Sequence, residues 1–308
     1  MSHYLGVFGH TALDVILNVK NLPIPNSSVC VDNKVIRYGG TGANIAKCAS
    51  ELGVKTSLAS FVGEDFPEDY HNFLKDSGVI LKDLKKLEGY NTPTCWIITD
   101  EDENQMALMD QGPMTDMTDF ELSTFTIDNS DIVHIGTGRP EYYKKVIDRA
   151  LSLNKTIVFD PSQEISYVYD EETFRYFIER SQYFFCNKTE LDLALKYLSL
   201  EHASSLLDYV EVVVVTRGKE GSSIYSQGEE VDIPVFKPKK VVDPTGAGDV
   251  YRGGFYAAHY RGYDLKECGI IGSVTASFAL EKAGPQEGNF NWEDIRKRLE
   301  KNSYSIIN

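Results

Sequence analysis

The sequence predicts an α/β fold built around a mainly parallel sheet, and two observations support this. Short apolar runs rich in β-branched and aromatic residues recur along the chain, and segments with helical spacing separate several of them. Apolar runs without polar alternation are typical of strands that are buried on both faces. Strands that alternate with helices favour parallel pairing, because parallel neighbours need a crossover. The predicted strands are residues 5–8, 58–62, 132–135, 156–159, 183–185 and 212–215.

The clearest predicted helix covers residues 41–52, where Ile45, Ala49 and Leu52 fall on one stripe. Gly53 follows at the position where a glycine commonly ends a helix. Two further helices are predicted at residues 190–197 and 250–260.

Two segments in the N-terminal third, residues 14–38 and 92–112, break this alternation. Both contain short β-prone runs, and the second has an acidic turn at residues 100–104 in the pattern of a hairpin. We predict that they form a small separate sheet that acts as a lid, within one domain that covers residues 1–308. An extension of the edge of the main sheet is the alternative.

Composition excludes several classes of function. The formal net charge is −15, which makes nucleic acid and anionic membranes poor candidates as partners. The five cysteines are scattered and form no Cys-x-x-Cys pair, so we expect neither a disulfide framework nor a zinc site, and we expect a reducing cytoplasmic location. The first residues lack a basic region and are predicted to form a strand rather than a signal peptide.

The stretch DPTGAGD at residues 243–249 places two glycines and two carboxylates at the start of a predicted helix. Val241-Val242 is predicted to end a short strand, and the helix is expected to begin near Gly246 because Pro244 prevents an earlier start. The first amides of a helix have no partner within it, and glycines let a ligand approach them closely. We therefore predict an anion hole. It comprises the amides of Gly246, Ala247, Gly248 and Asp249.

Asp249 is the candidate general base beside this hole. A carboxylate there can take the proton from a hydroxyl that attacks a bound phosphoryl group. The alternative is that Asp249 only caps the helix, since aspartate is favoured at helix N-termini. Neither a Walker A loop nor a G-x-G-x-x-G after the first strand is present, which disfavours a dinucleotide oxidoreductase.

Four motifs resemble, in the same order, the signatures of the ribokinase-like (PfkB) carbohydrate and nucleoside kinases. Residues 243–249 followed by 252–255 resemble the family's C-terminal signature, and residues 39–44 resemble its N-terminal one. Residues 187–190 are similar to its N-x-x-E motif, and residues 216–221 resemble the turn that touches the nucleotide. The resemblance spans nearly the whole chain. It implies a three-layer αβα domain with a mainly parallel sheet and a small β-sheet lid, and a kinase that uses ATP and Mg²⁺.

The resemblance also implies a role for each matching residue. Asp249 would deprotonate the acceptor hydroxyl while the amides of residues 246–249 stabilise the transferring phosphoryl group. Asn187 and Glu190 would organise Mg²⁺ and its waters around the nucleotide phosphates. The residues that would bind the acceptor are Asp14, Gly39, Gly40, Asn44 and Gln105, and those that would bind the nucleotide are Asn187, Thr216, Gly218 and Gly221. Some members of the family also have a monovalent-cation site, and here a site for K⁺ would lie near Asp243 and Thr245.

Simpler structural explanations remain open for several of these residues. Asn187 with Glu190 has the pattern of a capped helix start. Thr245 is equally well explained by a hydroxyl that bonds the backbone. Asp14 and Asn44 can be local caps, residues 216–218 can be a plain turn, and the motifs assign no role to Arg139 or Arg217, for which surface salt bridges are the default.

Three stretches, residues 99–114, 160–164 and 284–287, resemble the adenosine-kinase-like branch of the family. Thr41 stands where ribokinase-type chains usually carry lysine. We therefore expect a nucleoside acceptor that is phosphorylated on its 5′-hydroxyl, with a sugar kinase of the ribokinase or fructokinase type as the alternative. A non-catalytic sugar-binding protein is the rival from another class, and a homodimer through the lid is also expected. The candidates for an apolar clamp on the base are Trp96, Met106, Met109 and Tyr167, with ordinary packing as the alternative.

Overall fold

The computed structural model describes residues 4–102 and 104–304. Its larger sheet contains nine strands in the order β13-β12-β11-β10-β9-β8-β1-β4-β5 within the described residues. All the pairs are parallel except β11–β12 and β12–β13, which are antiparallel. The strands are β1 Tyr4–Phe8, β4 Lys55–Gly63, β5 Ile80–Leu87, β8 Ile132–Ile135, β9 Thr156–Phe159, β10 Tyr183–Asn187, β11 Val212–Thr216, β12 Ser222–Ser226 and β13 Glu229–Ile233.

Helices cover both faces of this sheet, because alternate strand residues belong to two separate apolar cores. In β11, Val212 and Val214 join one core, and Val213 and Val215 join the other. Helices α1, α2 and α7–α9 pack in the first core, and α3–α6 pack in the second. The helices are α1 Thr41–Glu51, α2 Glu68–Asp76, α3 Thr124–Asp128, α4 Pro140–Ser152, α5 Glu171–Ile178, α6 Lys188–Leu198, α7 Ala247–Tyr260, α8 Leu265–Ala279 and α9 Trp292–Lys301. The predicted three-layer αβα architecture is confirmed.

The two irregular segments form a separate four-stranded sheet. This confirms the predicted small sheet and excludes the alternative, an extension of the edge of the main sheet. The strand order of the small sheet is β3-β2-β6-β7. The acidic turn between β6 and β7 includes Glu103, which lies outside the described residues. The strands are β2 Ala12–Val19, β3 Val31–Gly39, β6 Thr94–Thr99 and β7 Gln105–Asp110. Below, the lid sheet means these four strands.

The predicted strand at Val241-Val242 is wrong. Residues 234–244 have no regular structure, and both valines are largely exposed. Three prolines interrupt this segment, and a proline has no amide hydrogen to give to a ladder. The helix that follows does begin where predicted, with Gly246 as its N-cap.

Across the described stretches, the helices are too short or too polar to cross a membrane. The five cysteines are all free thiols.

Candidate active site

A cleft of about 1170 Å³ runs between the inner face of the lid sheet and the carboxyl ends of the central strands. Asn187 ends β10 and Thr216 ends β11, and both line the cleft. Open parallel sheets present their ligand sites at this edge. The volume exceeds the usual range for one small ligand, so the cleft has room for a donor and an acceptor together.

The N-terminus of α7 opens into the middle of this cleft. Gly246 adopts a left-handed conformation with φ of 68°, and a Cβ there would collide with Pro285. The amide of Ala247 donates to the carbonyl of Pro244 at 3.3 Å. Gly246, Ala247, Gly248 and Asp249, the residues of the predicted anion hole, all line the cleft.

Asp249 stands in the first turn of α7, but its carboxylate is not a cap. The helix has no side-chain capping bond, and Asp249 Oδ2 instead accepts a hydrogen bond from Asn44 Nδ2 at 2.7 Å. Burial raises the pKa of Asp249 to about 7, an effect that the positive charge of Arg252 opposes. A carboxyl group with this pKa can accept a proton near neutral pH.

A buried ion pair lies beneath the base. Arg252 Nη2 donates to Asp160 Oδ1 at 2.9 Å, with a second short contact from Nε to Oδ2, and Arg252 Nη1 donates to the carbonyl of Gly248 at 3.0 Å. Both side chains are almost fully buried. This pair therefore holds the first turn of α7 through Gly248, and the positive charge of Arg252 acts on Asp249.

At the acceptor end, Asp14 projects from β2 into the cleft. Burial and the negative charge of Asp243 raise the pKa of Asp14 to about 6. Gly39, opposite Ala12 in the lid sheet, leaves space for this carboxylate, because a Cβ at Gly39 would collide with it. Gly40 has φ of 94° and also lines the cleft.

Asn44 joins two halves of the site. Its Nδ2 donates to Asp249, and its Oδ1 accepts from Gln286 Nε2 at 2.7 Å. The same Gln286 nitrogen lies 2.7 Å from the hydroxyl of Tyr70. The side chain of Asn44 is therefore held in one orientation, and it orients the carboxylate of Asp249.

Of the four residues predicted to clamp the base, two line the cleft and two do not. Met109, Tyr167 and the predicted Gln105 line the cleft. Trp96 and Met106 do not, because side chains alternate along strands and these two fall on the outer face with the exposed Leu108. Trp96 and Met106 are therefore wrong as clamp residues. The inner face presents Cys95, Ile97 and Ala107 instead.

Asn187 and Glu190 form a capping box at the start of α6. Each makes a hydrogen bond to the backbone amide of the other, at 2.9 and 2.7 Å, and Asn187 Nδ2 donates to Glu190 Oε1 at 2.7 Å. Burial raises the pKa of Glu190. Each carboxylate oxygen keeps a lone pair for a further donor, so the pair fits a Mg²⁺ ion held through waters. Within residues 4–102 and 104–304, acidic, histidine and cysteine side chains form no group of three that could hold a metal by itself.

The nucleotide-binding candidates line the far end of the cleft. The amide of Gly221 donates to Gly218, and Arg217 donates its amide to Gly221, which closes the predicted turn after β11. Thr216, Gly218 and Gly221 all line the cleft here. Lys219 and Lys237 line the same end and were not singled out from the sequence.

The remaining predicted residues have structural partners. Asp243 Oδ1 accepts the amide of Thr245 at 2.8 Å in a local turn. Arg217 pairs with Glu230 and Asp232, and Arg139 Nε donates to the carbonyl of Thr115 at 3.3 Å. Arg217 therefore forms salt bridges, as expected by default from the sequence.

Sequence reasoning missed a polar group at the lid end of the cleft. His10 and Gln111 contact each other, and Gln111 Nε2 lies 3.4 Å from Glu164 Oε1. Burial raises the pKa of Glu164 to about 7 and lowers that of His10 to about 4. The signal in the sequence was that Gln111 and Glu164 fall in two of the stretches that resemble the adenosine-kinase-like branch.

Comparisons with known proteins agree with this geometry. The family model described as pfkB family carbohydrate kinase matches residues 2–292. A nucleoside kinase of Methanocaldococcus jannaschii is 40% identical over 95% of each chain, and one of Methanothermobacter thermautotrophicus is 37% identical over 90% of this chain and 89% of its own.

Solved structures give the same result. The crystal structure of the M. jannaschii nucleoside kinase, described as an archaeal member of the ribokinase family, matches with a TM-score of 0.91 over 98% of this chain and 99% of that one. A Burkholderia thailandensis nucleoside kinase in complex with inosine has a TM-score of 0.88 at 23% identity, over 98% of this chain and 97% of its own, and supports the fold alone. The chain is therefore a phosphotransferase that belongs to the pfkB family of carbohydrate kinases.

Proposed function

We propose that this enzyme transfers the γ-phosphoryl group of ATP to the 5′-hydroxyl of a nucleoside. The observation that carries the proposal is the position of Asp249, a carboxylate in the first turn of α7 that Asn44 holds toward the cleft. The two relatives at 40% and 37% identity are nucleoside kinases, which supports a nucleoside over a free sugar.

The chemistry follows from the placement of the base and the amides. Asp249 accepts the proton of the acceptor hydroxyl while the hydroxyl oxygen attacks the γ-phosphorus. The bond from the γ-phosphorus to the β-phosphate oxygen breaks, and ADP leaves. The amides of residues 246–249 stabilise the negative charge on the phosphoryl oxygens. Mg²⁺, held through waters near Asn187 and Glu190, would offset the charge of the ATP phosphates.

The lid sheet supplies the remaining requirement, the exclusion of water. Its inner face presents Ile97, Ala107 and Met109 to the cleft. Closure of these side chains over a bound base would bury apolar area and keep water from competing with the acceptor. Asp14 would accept hydrogen bonds from the ribose hydroxyls.

A coupled ADP-release assay tests the substrate. We expect saturable turnover with one or more nucleosides and little with ribose, fructose or fructose 6-phosphate at equal concentration. Nuclear magnetic resonance of the product would show phosphate on the 5′-oxygen. Turnover with a sugar and none with any nucleoside would replace the proposal with the sugar-kinase alternative, and ligand binding without any ADP release would favour a binding protein.

We further propose that Asp243 and Thr245 lie beside a monovalent-cation site. Asp243 is near enough to Asp14 to raise its pKa, so a cation there would reduce repulsion in an acidic part of the cleft. We expect K⁺ to increase turnover relative to Na⁺ at constant ionic strength, and Asp243→Asn to weaken that response. Equal rates in both salts would exclude the site.

We also propose a homodimer through the outer face of the lid sheet. One row across this face consists of Ile36, Val15, Trp96 and Leu108, and Ile36 and Leu108 are each about half exposed. Leu108→Lys should shift the mass in light scattering from dimer to monomer. Leu151→Lys, at a similarly exposed leucine on α4, is the matched control and should leave the mass unchanged. A monomeric wild-type protein would refute the dimer.

A further inference from the structure

A chain of side-chain hydrogen bonds joins Glu164 to Thr41 across the lid end of the cleft. Gln111 Nε2 donates to Glu164 Oε1 at 3.4 Å, and Gln111 Oε1 contacts His10 Nε2. His10 Nδ1 lies 2.7 Å from Thr137 Oγ1, which lies 2.7 Å from Thr41 Oγ1. We name these five residues the Glu164–Thr41 chain; all of them line the cleft.

The charge on Glu164 determines the direction of every bond in this chain. An ionised carboxylate only accepts, so the amide nitrogen of Gln111 must face it. The amide oxygen of Gln111 then faces His10, which must carry its proton on Nε2. The bare Nδ1 of His10 takes the hydroxyl proton of Thr137, and Thr137 in turn accepts from Thr41. In this state, the free lone pairs of Thr41 face the cleft and accept.

Protonation of Glu164 reverses the direction of every hydrogen bond in this chain. Its hydroxyl donates to the oxygen of Gln111, so the amide group turns over and its nitrogen faces His10. The imidazole must then have a bare Nε2 and a proton on Nδ1, which donates to Thr137. Thr137 donates to Thr41, and the hydroxyl proton of Thr41 is left to point into the cleft. One proton is taken up at Glu164, and the proton of His10 moves between its nitrogens by exchange with water.

The surroundings allow both states. Glu164 is 2% exposed, and its Oε2 accepts the amide of Gly138 at 2.5 Å in either state. Arg139 and the phenol of Tyr167 face the carboxyl group and favour its ionised form, although burial outweighs them and raises its pKa to about 7. The charged or titratable groups that face it are Arg139, Tyr143, Tyr167 and Tyr169, with His10 beyond Gln111. Burial keeps His10 neutral, because its pKa is lowered to about 4.

We propose that protonation of Glu164 reverses the Glu164–Thr41 chain, and so switches the Thr41 hydroxyl from a hydrogen-bond acceptor to a donor at the acceptor-binding end of the cleft. Thr41 directly follows Gly40 and begins α1, three residues before Asn44. Glu164 thereby acts as a positioning residue that decides which acceptor groups fit Thr41. The consequence for substrates rests on the proposed function, and the consequence for His10 does not.

The tautomer of His10 is the direct readout. In protein labelled with ¹⁵N-histidine, long-range ¹H–¹⁵N correlation distinguishes protonated from bare ring nitrogens. We expect the wild type to carry the proton on Nε2 at pH 8.5 and on Nδ1 at pH 5.5. Glu164→Gln should carry it on Nδ1 at both pH values, because the amide nitrogen of the introduced glutamine must donate to Gln111.

His134 is an internal control in the same spectra. It is also buried, its pKa is also lowered to about 4, and its Nδ1 lies 2.8 Å from the hydroxyl of Tyr256. Its signals should not respond to Glu164→Gln.

In Gln111→Met, which interrupts the chain, His10 should keep one tautomer at both pH values. An unchanged His10 tautomer in the wild type between pH 8.5 and 5.5 overturns the proposal without any need for a variant.

A kinetic experiment tests the effect at Thr41. A fluorine in place of a ribose hydroxyl can accept but cannot donate, so the 2′-fluoro and 3′-fluoro analogues of the best nucleoside are suitable probes. At pH 8.5, the wild type should show a higher KM for the analogue whose fluorine meets Thr41, and Glu164→Gln should reduce that penalty about tenfold. A switched tautomer with equal penalties in both proteins removes Thr41 as the recipient. Absence of any nucleoside turnover refutes the proposed function and leaves the tautomer result standing.

Discussion

Asp249→Asn separates the function of this side chain from its effect on stability. The amide keeps the shape and can still accept the hydrogen bond from Asn44 through its oxygen, but it cannot take a proton from the acceptor. We expect turnover to fall at least about 10²-fold while binding of the acceptor is largely kept. If Asp249 only capped the helix, the change would be nearly neutral, because Asn and Asp are equivalent caps.

The expected effect on stability follows from the pKa. The folded protein holds the Asp249 proton more tightly than the unfolded chain does, so between about pH 4 and pH 7 the unfolded chain releases that proton first. Ionisation above pH 7 therefore costs the native state at most about 4 kcal/mol. The Asp249→Asn variant carries no such cost, so it should be more stable than the wild type at pH 8, and by a smaller margin at pH 4.5.

Thermal unfolding at the two pH values and a coupled ADP-release assay measure both effects. Asp264→Asn is the matched control, because Asp264 is a true N-cap whose carboxylate accepts the amide of Glu267 at 2.8 Å on α8, outside the cleft. It should leave turnover unchanged. Equal turnover of Asp249→Asn and the wild type would refute the general-base assignment. A variant less stable than the wild type at pH 8 would refute the burial argument.

Four further predictions concern the site and the residues that support it. In the wild type, kcat/KM should fall about tenfold per pH unit below about pH 7, as Asp249 is protonated. Asn44→Ala removes a donor that lowers the pKa of Asp249, so the pH profile should move to higher pH. Asp160→Asn removes a negative charge that raises the same pKa, so its profile should move to lower pH. Shifts of both profiles in one direction would contradict one of these two assignments. Asp160→Asn should also lower the free energy of unfolding by about 3–5 kcal/mol, as measured by denaturant unfolding, because it leaves the buried charge of Arg252 unpaired. Gly40→Ala should destabilise the protein by several kcal/mol more than Gly262→Ala: both have positive φ, but a Cβ at Gly40 would lie 2.5 Å from the carbonyl oxygen of His10 and one at Gly262 meets nothing within 4 Å.

The fold was predictable where local signals are strong. The predicted strands 132–135 and 156–159 have the observed bounds, because continuous apolar runs between turn residues have no other stable placement. The strand at Val241-Val242 was wrong for a related reason. β-branched residues alone suggest a strand, but prolines interrupt the segment, and the amide of Val242 donates to the carbonyl of Leu280 at the end of α8 instead of to a neighbouring strand.

The site was only partly predictable, because its chemistry depends on pairs that are distant in sequence. Asp160 and Arg252 are 92 residues apart, and no local pattern indicates that they form one ion pair. The same holds for the lid sheet: alternation shows that Trp96 and Met109 point to opposite faces, but only the docking of the sheet decides which face meets the cleft.

The hydrogen bond from Asn44 to Asp249 gives a physical reason why the first and last motifs of the chain occur together. Asn44 lies in the first turn of α1, and Asp249 lies in the first turn of α7, 205 residues later. The bond lowers the pKa of the base and aims one of its oxygens, while Gln286 fixes the amide that donates it. A substitution at Asn44 therefore changes the pKa of Asp249, and the two helix starts cannot be altered independently.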